Sequence, residues 1–179
     1  MIPKFKIFTI LTCFFALAAF TTFSVNWNID PNYSIKFGGS KAEGTFSGLT
    51  GTVVFDPKNI SSAKMDVSVA VNTIKTGNST KDSHAKGSSW FDAEKYPSIQ
   101  FSSTAFLPEG KNYAVTGNLT LHGVTKKIVI PFQFSETNEK GLFTGNFKVK
   151  RKDFGINGNF FGFAVGDDFA IELQVPVSK

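Results

Sequence analysis

The chain of 179 residues carries one cysteine, Cys13, and two histidines, His84 and His122. A lone thiol forms no intrachain disulfide and supplies no sulfur-rich metal site. The two histidines have no partner at metal-ligand spacing, so no metal is expected. Asp82, Ser83 and His84 are the residue types of a hydrolytic triad, but they are sequence neighbours. Adjacent residues do not set up the chained hydrogen bonds that a nucleophile, its base and an orienting acid require. The nucleophile elbow G-x-S-x-G, the dinucleotide loop G-x-G-x-x-G and the Walker loop are all missing. No catalytic residue and no cofactor is expected.

Long apolar runs are missing as well. The longest, Ile7 to Ala19, falls short of the roughly 20 residues of a membrane span, so no stable span is expected. It follows the basic opening MIPKFK and leads into the small residues near Ser24. That order predicts a secretory signal peptide over residues 1–24, and hence an exported protein, periplasmic or secreted. The remaining 155 residues, 25–179, fit one domain and contain no cysteine, so packing and strand pairing alone must hold them. The formal charge of +5 includes Lys4 and Lys6. Without them 17 bases face 14 acids, a surplus of +3, too small and too scattered for a nucleic-acid surface.

What the chain has is alternation. In KMDVSVAVNT, Met65, Val67, Val69 and Val71 share one face, and Asp66, Ser68, Ala70 and Asn72 the other. A period of two marks a strand with one dry side. The pattern returns at Tyr33–Phe37, Ile99–Ala105, Tyr113–Leu121, Ile128–Phe134, Phe143–Val149 and Phe169–Val177. His122-Gly123-Val124-Thr125 reads as a tight connection, and Pro131 marks an edge or a bulge. Thr76–Pro97 breaks the rhythm, as does an aromatic, glycine-rich loop before Phe169; in the first, Ser79 or Thr80 would cap a short helix ending before Gly87. The fold expected is all-β: a single antiparallel β-barrel of about eight strands, with one short helix in a loop. Fifteen of the 21 phenylalanines lie after residue 24. They fit two interiors, a solid aromatic core or a lumen lined with rings.

Nine segments in order carry a further signal. They are WNIDP at 27–31, FDP at 55–57, TIKTG at 73–77, KDSH at 81–84, WFD at 90–92, YPSIQF at 96–101, GNLTLHGVTK at 117–126, RKDFG at 151–155 and VGDD at 165–168. The series resembles the YceI-like family of exported, lipocalin-like barrels, over essentially the whole of residues 25–179. The resemblance implies an apolar tunnel that takes a long-chain isoprenoid lipid, an isoprenoid quinone or a polyprenyl phosphate. Where the family tends to have arginine-aspartate, this chain has Lys81-Asp82, which keeps the charge but loses bidentate geometry.

On that reading Ile35, Phe37, Phe46, Val67, Val69 and Val71 face the tunnel from the first half of the chain. Phe101, Leu119, Leu121, Phe147, Ile171 and Leu173 face it from the second, and Trp90 and Phe91 line or cover it. The headgroup candidates are Lys81, His84 and Lys86 in the irregular segment, and Arg151. The alternative is a filled barrel with a structural or partner-binding role. Nothing in the sequence decides between a monomer and a homodimer.

Overall fold

A computed structural model describes residues 24–158 and 165–179. The expected signal peptide, apart from Ser24, lies outside the described residues, as do six residues of the glycine-rich stretch after Phe154.

The strand segments are β1 (Asn26–Ile29), β2 (Ser34–Gly39), β3 (Ala42–Phe46), β4 (Leu49–Val54), β5 (Lys64–Ala70), β6 (Ser98–Glu109), β7 (Asn112–Leu121), β8 (Val124–Thr137), β9 (Lys140–Lys150) and β10 (Asp168–Ser178); one helix, α1 (Ser79–Lys86), lies between β5 and β6. All ladders are antiparallel, and β1 pairs with both β4 and β10, which closes a ring of β1 and β4 to β10. The barrel therefore has the eight strands that the alternation predicts. β2 and β3 extend this ring rather than adding a layer. Between the Trp27–Val53 pair and the Ile35–Phe46 pair, one arm has a single residue more than the other. So β1 with β2, and β3 with β4, are the two arms of one long bent hairpin. Asp30 N donates to Pro176 O at 2.9 Å, which keeps the first arm on the edge of β10 through its bend. Gly48 (φ +70°) bends the second arm where a Cβ would meet Ala70 Cβ at 2.9 Å.

The two ends of the barrel differ. One carries the tight turns Gly110–Lys111 and Asn138–Glu139, the other the long connections 71–97 and 151–167. His122 (φ 51°) and Gly123 (φ 75°) make the two-residue turn expected there, with both residues in the left-handed region a primed turn needs. α1 is capped by Asn78, whose side chain accepts from Lys81 N at 3.0 Å, one position before the expected Ser79 or Thr80. Asparagine is among the strongest caps because its short side chain reaches the exposed amides of the first turn. The β8–β9 ladder stops at the Phe132–Gly145 pair; Pro131, next in line, has no N–H to extend it. Among the described residues the upper parts of these strands, Val124–Pro131 and Asn146–Lys150, are not paired with each other.

The tight-turn end is filled. Phe55, fully buried, lies 5.1–6.0 Å from the rings of Phe106, Tyr113, Phe132, Phe134 and Phe143, mostly edge to face. Trp27 packs on Phe134 at 5.4 Å and donates its indole N–H to Phe55 O at 2.8 Å. Val177 is also fully buried there. Higher up, residues that point inward, such as Val67, Phe147, Ile171 and Leu173, are only half-buried. Phe55→Ala should therefore cost about 3–5 kcal/mol in urea unfolding, the range for a truncated core phenylalanine. Phe147→Ala, which removes a ring already facing open space, should fall well below that range; equal losses would mean that the bore is packed throughout.

Candidate functional site

Above the aromatic plug the barrel encloses a cavity of about 520 Å³. This is within the usual range of about 300–1,000 Å³ for small-molecule sites. The wall comes from inward residues of all ten strand segments, because a closed sheet sends alternate side chains to one interior. On β10 the lining runs from Phe169 through Ile171 and Leu173 to Val175, roughly 20 Å along the strand. Met65, Val67 and Val69 on β5 and Phe101 on β6 face it from the far side. Gly117 interrupts the inward row of β7 because the Phe101 ring lies over it; a Cβ there would meet that ring at 2.4 Å. The plug seals the lower end, so the cavity is a pouch.

Thirteen of the fourteen residues expected on the tunnel wall line this cavity: Ile35, Phe37, Phe46, Val67, Val69, Trp90, Phe91, Phe101, Leu119, Leu121, Phe147, Ile171 and Leu173. Val71 does not. β5 ends at Ala70, and a 3₁₀ turn over Val71–Thr73 breaks the alternation that would have turned Val71 inward. Val71 is instead buried in the turn, its N–H donating to Pro97 O at 2.9 Å. Phe169 and Val175 share the face of Ile171 and Leu173, so the same alternation could have found them. Ile156 and Val165, also in the lining, come from an aperiodic loop and carry no such signal.

The long connections roof and rim the pouch. Phe91 packs edge to face on Phe46 at 5.6 Å. Lys81 and His84 of α1 line the cavity beside Lys41, Glu43 and Thr76, so the opposite end from the plug is its polar rim. Lys86 is outside the lining. It lies in the last turn of α1, where its carbonyl accepts from Ala93 N, and the helical turn separates it from the positions that reach the rim. His122 is structural: its ring meets the Tyr96 ring at 4.7 Å, and Nδ1 lies 3.2 Å from Phe154 O.

Arg151 sits in the roof and is 5 % exposed. A 3₁₀ turn at Arg151–Phe154 follows β9, and Gly155 (φ +73°) sends the chain back over it. Its guanidinium donates to Gly166 O from Nε (3.0 Å), to Ile156 O from Nη1 (2.6 Å) and to Val165 O from Nη2 (2.9 Å), with the Trp90 ring 5.2 Å away. The side chain thus ties together both flanks of the 151–167 connection and the Trp90 loop. Of the headgroup candidates, Arg151 lines the pouch as a buried residue of its roof, whereas Lys81 and His84 line it as exposed residues of α1.

Asp82 anchors α1 to the rim. Its Oδ1 accepts from Thr76 N (2.7 Å) and Thr76 Oγ1 (2.8 Å), and Lys75 Nζ lies 3.6 Å from Oδ2. The two Thr76 hydrogen bonds, with the Lys75 charge, hold this carboxyl below its ordinary value. A lowered folded pKa gives stability that is full above the unfolded value of about 3.9 and is lost as pH falls through the folded one. Amide protection over residues 76–86 should drop selectively in acid, below pH of about 4. Asp82→Ala should produce the same loss at neutral pH, as read by hydrogen exchange; uniform loss across the barrel would show that the anchor is not local.

Residues 27–177 match the YceI-like domain family. The UPF0312 protein plu2095 of Photorhabdus laumondii is 30% identical over 137 residues, 73% of this chain and 71% of that one. Protein YceI of Salmonella arizonae is 34% identical over 119 residues, 63% of this chain and 62% of its own length. Among solved structures, BcnA of Burkholderia cenocepacia superposes with a TM-score of 0.77 at 26% identity, covering 83% of this chain and 99% of BcnA. A polyisoprenoid binding domain from Saccharophagus degradans shares the fold at a TM-score of 0.65 and 13% identity, over 86% of this chain and 97% of that one. With the family matched from the first strand to the last, this chain belongs to the YceI-like family.

Proposed function

We propose that this protein binds a long-chain isoprenoid lipid, an isoprenoid quinone or a polyprenyl phosphate, and carries or stores it outside the cytoplasm without acting on it chemically. The observation that carries this reading is the pouch: about 520 Å³, walled by aliphatic and aromatic side chains, sealed below and rimmed by polar groups above. An apolar tail gains by leaving water for such a space, at about 0.8 kcal/mol per methylene. Each five-carbon isoprene unit gains roughly 2–4 kcal/mol before the cost of ordering a floppy tail is subtracted. The name of the Saccharophagus domain, a polyisoprenoid binding domain of this fold, supports the same class of ligand. The basic, apolar, small-residue order at the N-terminus supports export.

The wall sets the selectivity. Roughly 20 Å of strand, tilted by about 40°, gives a depth of about 15 Å. One extended tail fills that depth with about three to four isoprene units, at bonds of about 1.5 Å. Quinones of increasing tail length should therefore bind more tightly up to about four units and then level off. Native mass spectrometry of the purified protein, followed by organic extraction, should recover a bound lipid. Trp90→Ala should weaken all tails alike, since it opens the roof over the pouch. A clean apo mass together with no uptake of any long-chain quinone would overturn the reading.

A further inference from the structure

Among the described residues, Arg151 is a buried cation with no carboxylate in ion-pair range. The ion pairs among the described residues use Asp66, Asp82, Glu136 and Asp153, each with a lysine. None reaches Arg151. Asp167, close in the chain, has its Oδ1 on Lys152 N. The six residues 159–164, Asn-Phe-Phe-Gly-Phe-Ala, contain no acid. Among the described residues the guanidinium is met by three backbone carbonyls and one ring face, all neutral. Buried charges are ordinarily paired, because taking an ion out of water without a counter-charge is costly.

The same residue lines the pouch, next to Trp90, Ile156 and Val165. The side chains beside it there are apolar, so an anion arriving next to it meets little competing water and a strong field. We propose that Arg151 is the anion-recognising group of the pouch, and that the preferred occupant is a single-tailed isoprenoid with an anionic head, a phosphate ester or a carboxylate. The head lies under the roof against Arg151, and the tail runs down the bore toward the plug. This rests on the lipid-binding reading above and narrows it from isoprenoids in general to anionic ones. The carbonyl bonds fix the plane of the guanidinium, which favours the planar, charge-assisted contact that arginine makes with carboxylate and phosphate. Lys81 and His84 at the rim are exposed, so an attraction there would be screened by salt, whereas one at Arg151 would not.

The test compares three probes with one tail: geranylgeranyl phosphate, geranylgeranoic acid and geranylgeraniol, competed against a fluorescent lipid. In the unaltered protein at least one anion should bind about ten- to a hundredfold more tightly than the alcohol, the range for a charge-assisted hydrogen bond. That ratio should hold between roughly 20 and 500 mM salt. Preference for the phosphate identifies a phosphate ester as the source, preference for the acid a carboxylate, and either supports the assignment. In Arg151→Gln the ratio should collapse to about one; where that variant fails to fold, Arg151→Lys, which keeps the charge but not the fork, should lower the ratio without abolishing it. Equal binding of alcohol and anions, or a preference that salt removes, overturns the role of Arg151 and leaves the lipid reading standing. No binding of any probe overturns both.

Discussion

A closed wall of eight antiparallel strands encloses more space than its inward side chains fill at every level, and how that space is divided governs everything else in this molecule. At the tight-turn end the rings around Phe55 meet at 5.1–6.0 Å and exclude water. Above them inward side chains such as Val67, Phe147, Ile171 and Leu173 are only half-buried, and the space between them stays open. Most strands run through both regions, so the packed half helps to hold the open half in shape, although among the described residues β8 and β9 pair only in the packed half. The hairpin of β1–β4, bent at Asp30 and Gly48, lengthens the wall above the plug and so deepens the pouch without adding a strand.

The roof obeys a different rule. Its segments have no periodic apolar face, so they are held by single buried side chains such as Val71, Ile74 and Ile156 together with polar contacts to the backbone. Arg151 gathers three carbonyls from residues on both flanks of one connection, and Asp82 holds Thr76 and faces Lys75. Each of these side chains does for a loop what the ladder does for a strand. The barrel is thus rigid where hydrogen bonds repeat and depends on single residues where they do not.

This division explains what was legible in the sequence. Alternation is strongly specified wherever one face of a sheet is buried, since a slip of one residue would turn every apolar group to water. The faces of β6 to β10, and with them Phe101, Leu119, Phe147 and Leu173, could therefore be read directly. Alternation fails where the strand itself ends: Val71 continues the pattern on paper, but the chain has already turned at Ala70. It also cannot tell Phe143 from Phe147. Both point inward on β9, and only their height relative to neighbouring strands makes one a plug and the other a wall. The position of Arg151 was hidden for a further reason. Its role comes from carbonyls 5 to 15 residues away, and carbonyls leave no mark on a sequence.

The size of the pouch bears on whether it is incidental. A space of about 520 Å³ behind an apolar wall leaves the atoms of that wall without packing partners on one side. Two inner-face positions, Gly117 on β7 and Gly145 on β9, carry no side chain. At Gly117 the Phe101 ring takes the place of a side chain, and at Gly145 a Cβ would sit tightly against Pro131 O at 3.3 Å. A wall that keeps such space is built to have it filled from outside, and an apolar occupant restores the contacts that its own side chains leave unmade.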